Sequence, residues 1–159
     1  LVSVGKSTQV CSTIFKEEVK PRPGLVSQTF TGATSSLFAA DVVLSEILKG
    51  KFYDTDKKQG LNHKYFDYLS DELSKCEHIS NIGGVGAMFA FQVFNGSPDV
   101  TMKFVHELFR NGVISFIAGK NPTKVRFLFP TPVITKKDLK AVIKITKDTL
   151  KNYDSSSDK

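Results

Sequence analysis

The sequence predicts an α+β protein in two parts, and three features of the chain support that reading. Residues 79–152 alternate strand-like and helix-like patterns in the order β-α-β-β-α, which folds as a mostly antiparallel sheet with helices on one side. Residues 1–50 carry short strand-like runs and then one helix, the pattern of a different, α/β layer. An amphipathic helix around 58–76 would join the two. The organisation expected is 1–52 for the first part, 53–152 for the second and 153–159 for a polar, disordered tail.

The elements follow in order. Leu1-Val2-Ser3-Val4 has the apolar character of a buried strand already under way, so a segment upstream is expected. A polar Gly5-Lys6-Ser7-Thr8 separates it from a second strand-like run at 9–15. Pro21, Pro23 and Gly24 predict a rigid loop. Thr29-Phe30-Thr31-Gly32 then leads into a helix with apolar positions Leu37, Ala40, Leu44, Ile47 and Leu48, ending near Gly50. Leu61, Tyr65, Leu69 and Leu73 recur at the spacing of one amphipathic helix face.

Beyond residue 78 the pattern changes. Residues 79–94 are strand-rich and interrupted by Gly83, Gly84 and Gly86. Ser97-Pro98-Asp99 supplies an N-cap, a first-turn proline and an early acid, a helix start. That helix should turn Met102, Val105 and Phe109 inward and stop at Asn111-Gly112. Strands at 113–117 and 124–129 flank an Ala-Gly-Lys-Asn-Pro turn. Thr135 with Asp138 resembles a capping box opening a last helix that buries Leu139, Val142, Ile143 and Leu150.

Composition narrows the function classes. The two cysteines, Cys11 and Cys76, have no metal-ligand or CxxC spacing, and no metal is expected. Without a disulfide framework or signal peptide, a cytoplasmic, reducing compartment is the expectation. No apolar run is long enough to span a membrane. The formal charge of +6 raises nucleic acid as a partner. Its lysines are interspersed with acids, as in Lys16-Glu17-Glu18 and Lys136-Lys137-Asp138, and the excess in the last helix reads as a solvated face. Neither nucleic acid nor membrane is expected as a partner.

Three local features fall in one order: Gly5-Lys6 after a strand, Thr29-Phe30-Thr31-Gly32 before a helix, and Val125-Arg126-Phe127 ahead of the last helix. Each alone has a plain structural explanation: a solvated loop lysine, a helix N-cap and a surface or salt-bridged arginine. Together, with Gly84-Val85-Gly86-Ala87-Met88-Phe89 between them, they resemble the downstream half of class III aminotransferases. That group holds the ornithine, acetylornithine, 4-aminobutyrate and lysine 6-aminotransferases. The chain departs from the usual pattern in three places. Ser7-Thr8-Gln9-Val10-Cys11 replaces a glycine-rich run, Ala33-Thr34 replaces Asn-Pro, and Gly83 stands where an arginine often precedes Gly-x-Gly.

The resemblance implies the C-terminal small domain and a remnant of the α/β large domain of a fold-type I, pyridoxal-phosphate-dependent enzyme. It implies Lys6 as the catalytic, cofactor-binding amine, Thr29 as a phosphate contact reaching the neighbouring subunit of a homodimer, and Arg126 as the grip on a substrate carboxylate. The substrates implied are an amino acid (or ω-amino acid) and a 2-oxo acid. The family's other cofactor contacts lie upstream of the lysine, so this chain alone is expected to be inactive and not to retain pyridoxal 5'-phosphate. Two alternatives of other classes stand beside it. One is a non-catalytic interaction domain. The other is an RRM-like RNA-binding module, suggested by the element order and by the strand Gly86-Ala87-Met88-Phe89-Ala90-Phe91.

Overall fold

A computed structural model of the chain describes residues 1–5, 8–25, 32–49, 53–54, 59–60, 63–130 and 133–157. They fall into two compact units, Leu1–Lys51 and Phe52–Lys159. In the first, β1 (Val2–Val4) pairs antiparallel with β2 (Ser12–Ile14), Val2 opposite Ile14. A 3-10 turn at Glu17–Val19 follows, then α1 (Thr34–Lys49). The opening strand forms, but it is not buried: Leu1 and Val2 are 76% and 58% exposed, because a two-stranded ribbon offers them no covering layer. The apolar positions Leu37, Leu44 and Leu48 on α1 are likewise exposed, and only Ala40 is buried there.

The second unit opens with the short pair β3 (Tyr53–Asp54) and β4 (Gln59–Gly60), then α2 (His63–Leu73). Its main sheet comprises β5 (Ile79–Val85), β6 (Met88–Val93), β7 (Phe116–Ala118) and β8 (Lys124–Leu128). The spatial order is β5-β6-β8-β7, every pair antiparallel. Helices α3 (Pro98–Arg110) and α4 (Lys136–Ser157) pack together, and α2 packs on α4. Alternation decides which sheet face they cover. Phe89, Phe91 and Val93 on β6 and Val125 and Phe127 on β8 point to the helices and are buried. Phe89 packs edge-on to Phe66 at 5.0 Å. Burying each such side chain stabilises the fold by roughly 1.5–3 kcal/mol.

Several expectations need correction. From residue 79 onward the element order is β-β-α-β-β-α, because residues 79–94 form a hairpin rather than one interrupted strand. Gly86 (φ +60°) lies in the two-residue turn, as hairpin turns favour. Gly84 has φ +138°, and a Cβ there would sit 2.0 Å from the Met88 carbonyl oxygen, so only glycine fits. On α3 the inward face is Thr101, Phe104, Val105 and Leu108, while Met102 and Phe109 are exposed. This helix carries apolar residues on two adjoining stripes, and the sequence does not say which one meets the sheet. Helix α4 continues to Ser157, into the segment read as an unstructured tail.

The caps form as expected. The Ser97 hydroxyl accepts from the Val100 N–H, and Asn111 ends α3 with Gly112 at φ +92°. Asp138 accepts from both the N–H and the hydroxyl of Thr135, at 2.8 and 2.6 Å, while the Thr135 hydroxyl accepts from the Asp138 N–H. These two bonds from Thr135 hold the Asp138 carboxyl below its ordinary pKa.

Candidate functional site: the open face of the sheet

Arg126 lies in the middle of β8, on the face turned away from the helices. Alternation along the strand puts Val125 and Phe127 in the core and leaves Leu128 half exposed beside Arg126, as the sequence pattern requires. Across the sheet, Gly83, Ala90, Arg126 and Phe116 form one row of directly paired residues. Paired residues share a face, so Gly83 and Ala90 put almost no side chain on one side of the arginine. On its other side its guanidinium carbon lies 5.6 Å from the Phe116 ring centroid. The next row, Val85, Met88 and Leu128, is apolar and exposed.

The Arg126 side chain is half buried, and its Nε is buried without a hydrogen-bond partner. No acid pairs with Arg126 among the described residues. Buried donors are nearly always satisfied, and Arg126 Nε has no hydrogen-bond partner among the described residues. A carboxylate fits the fork of a guanidinium through two parallel bonds. Phe116 was not singled out by sequence reasoning. Its role follows from register across a turn, which residue patterns do not encode.

Lys6 and Thr29 both lie outside the described residues. Gly5 follows the end of β1 and is the last described residue before Lys6. Gly83 stands in the same sheet row as Arg126.

The aromatic residues that suggested an RNA-binding sheet are turned the wrong way for it. Such a sheet stacks bases on exposed rings. Here Phe89 and Phe91 are fully buried beneath the helices. Among the described residues no group of His, Cys, Asp and Glu is placed to hold a metal ion, and no helix is long and apolar enough to cross a membrane.

One charged cluster escaped the sequence reading. Glu72, near the end of α2, accepts from Lys75 at 2.6 Å and from Lys147 of α4 at 2.9 Å. These bonds, Lys75 first, lower its pKa from 4.5 to about 2 and raise that of Lys75. The Lys147 bond joins residues 75 positions apart, and nothing local announces it.

Comparison with known proteins bears on the family and the fold. The profile of the family described as Aminotransferase class-III matches residues 6–150. No curated protein matches the chain. Among solved structures, a mutant of M. tuberculosis Rv3290C superposes with a TM-score of 0.72 at 20% identity, covering 95% of this chain and 35% of that one. A Plasmodium falciparum ornithine delta-aminotransferase gives 0.61 at 24% identity, over 86% and 34%. The ornithine aminotransferase of Plasmodium yoelii gives 0.60 at 22%, over 84% and 34%. At such identities the likeness is one of fold, that of fold-type I aminotransferases, and the chain spans about a third of the length of these proteins. Because the family profile runs through nearly all of the sequence, from the strand-end lysine to the last helix, the chain belongs to the class III aminotransferases.

Proposed function

We propose that this chain is the C-terminal part of a pyridoxal-phosphate-dependent aminotransferase that moves an amino group between an amino acid (or ω-amino acid) and a 2-oxo acid. The observation that carries the proposal is Arg126: a half-buried guanidinium with an orphaned Nε, lying between small residues and an aromatic ring. Both substrates carry a carboxylate, so one planar fork serves both halves of the exchange.

The other roles rest on the family. The Lys6 amine would hold the cofactor and, once released by substrate, move a proton at the reacting carbon. The Thr29 hydroxyl would meet the cofactor phosphate across the interface of a homodimer. Pyridoxal phosphate, when bound, supplies the electron sink for the reaction. The chain by itself is proposed to be inactive, since the family's remaining cofactor contacts precede the lysine. A cytoplasmic location is proposed from the cysteine usage, with Cys11 and Cys76 both free.

Two measurements test this reading in the complete enzyme. Borohydride reduction should fix a pyridoxyl group on Lys6, and labelling of Lys16 or Lys20 instead would displace the alignment at its anchor. Arg126→Lys should weaken binding of amino acid and oxo acid alike by about 1.5–3 kcal/mol, the worth of a hydrogen bond to a charged group. Unchanged KM for both substrates would return Arg126 to a structural role.

A further inference from the structure

Helix α4 carries the lysine excess that the sequence pattern reads as a solvated face. Lys140, Lys144, Lys147 and Lys151 recur at intervals of four, three and four residues, which places them in one stripe along the helix. Like charges at these spacings destabilise a helix. Only Lys147 among them is paired, through Glu72, and Lys140, Lys144 and Lys151 have no ion pair among the described residues. Two clefts open beside the stripe and share Lys147 and Lys151. The larger, about 380 Å³, adds Lys75 and His78 over Leu150, with Glu77 as its acid. The other, about 320 Å³, adds Lys140 and Lys144, with Glu72 and Asp148 as its acids.

We propose that this face of α2 and α4 binds a linear polyphosphate, either a condensed inorganic phosphate or the phosphate chain of a nucleotide. The five lysines outnumber the three carboxylates, and Glu72 is already occupied by two of the lysines. The stripe from Lys140 to Lys151 extends about 16 Å along the helix axis, so a single phosphate meets only part of it and a chain of phosphates meets the whole. The clefts are of ligand size. A lipid surface fits less well, because the apolar side of α4 (Leu139, Ile143, Leu150) is committed to the core and leaves nothing to insert. A nucleic acid strand would want exposed rings interleaved with the cations. Here the neighbouring ring, Tyr68, is partly buried with Lys136 over its face.

The test is calorimetric titration of the 159-residue chain with sodium tripolyphosphate, adenosine triphosphate, adenosine, orthophosphate and a short single-stranded DNA at matched ionic strength. Tripolyphosphate and the triphosphate should bind, adenosine should not, and orthophosphate should bind more weakly. Saturable tripolyphosphate binding that the nucleotide does not share selects the condensed phosphate as the ligand; tighter nucleotide binding selects the nucleotide. Lys144→Ala/Lys151→Ala should weaken binding by about fivefold, as loss of two exposed charge contacts implies. Lys103→Ala/Lys120→Ala removes equal charge elsewhere and should leave binding unchanged. Amide shifts of the wild-type chain during the same titration should concentrate at 75–78 and 140–151, a readout independent of any variant. Equal losses from the two double variants, shifts spread over the surface, or DNA binding more tightly than tripolyphosphate would each overturn the proposal.

Discussion

Phe116 and Arg126 are directly paired across β7 and β8, and the arginine's guanidinium carbon lies 5.6 Å from the phenylalanine ring centroid. The ring contact of this half-buried guanidinium is worth about 0.5–1 kcal/mol. The orphaned Nε beneath it costs roughly 1–3 kcal/mol. Where that donor stays unpaired, the cost exceeds the gain from the ring. Arg126→Met, which keeps the length and removes the donor, should therefore raise the stability of the isolated chain by about 1 kcal/mol in urea unfolding. A destabilised variant would mean that the arginine is satisfied within the fold and not held ready for a ligand.

Adjacent glycines in β5 should respond in opposite ways. At Gly83 the backbone is outside the left-handed region and a Cβ would meet nothing within 4 Å. Gly83→Ala should stabilise the chain by about 0.5–1 kcal/mol through the lost freedom of the unfolded state. At Gly84 the same change drives a Cβ onto the Met88 carbonyl at the hairpin, with φ at +138°. Gly84→Ala should lower stability by more than Gly83→Ala raises it, at least about 2 kcal/mol. Thermal melts of both variants, followed by circular dichroism, decide the matter.

These two glycines show what the sequence could and could not convey. Gly83-Gly84-Val85-Gly86 marks an interruption in a strand, but the residues alone do not distinguish a broken strand from a tight hairpin, and so one strand too few was expected. The period-two alternation around Arg126 did specify its face, because only one register buries Val125 and Phe127 together. Helix α3 was read one stripe off: Met102, Val105, Phe109 and Phe104, Val105, Leu108 are both apolar at helical spacing, and only the sheet selects between them. Caps were legible because Thr135 and Asp138 act within one turn. Phe116 against Arg126 and Lys147 against Glu72 were not, because long-range register and helix packing bring them together.

The cap of α4 offers a local test. Asp138 takes two hydrogen bonds from Thr135, whose hydroxyl in turn caps the Asp138 N–H. Thr135→Ala removes the hydroxyl from both exchanges and should cost about 1 kcal/mol. Thr135→Ser keeps the oxygen and should cost less than half of that. Equal losses from the two would assign the effect to the lost methyl group instead of the cap.

Glu72 gives the chain a defined acid sensitivity. Its carboxylate is hydrogen-bonded to Lys75 and Lys147, and its pKa falls from 4.5 to about 2 as a result. In the unfolded chain those partners are absent and the group titrates near its ordinary value, about 4.3. A folded pKa below the unfolded one means that the unfolded state takes up protons first as the pH drops. The contribution of Glu72 to stability is therefore complete above the unfolded pKa and is lost as the pH falls from about 4.5 to about 2. Glu72→Gln holds the shape but cannot carry the charge, so its stability deficit relative to the wild type should be largest near neutral pH. The deficit should shrink through this window and vanish below it, while the many other carboxylates affect both proteins equally and cancel. Urea midpoints of the two proteins, measured in parallel on either side of the window, check this. A deficit independent of pH would show that the loss comes from packing between α2 and α4, and that the ion cluster contributes nothing beyond it.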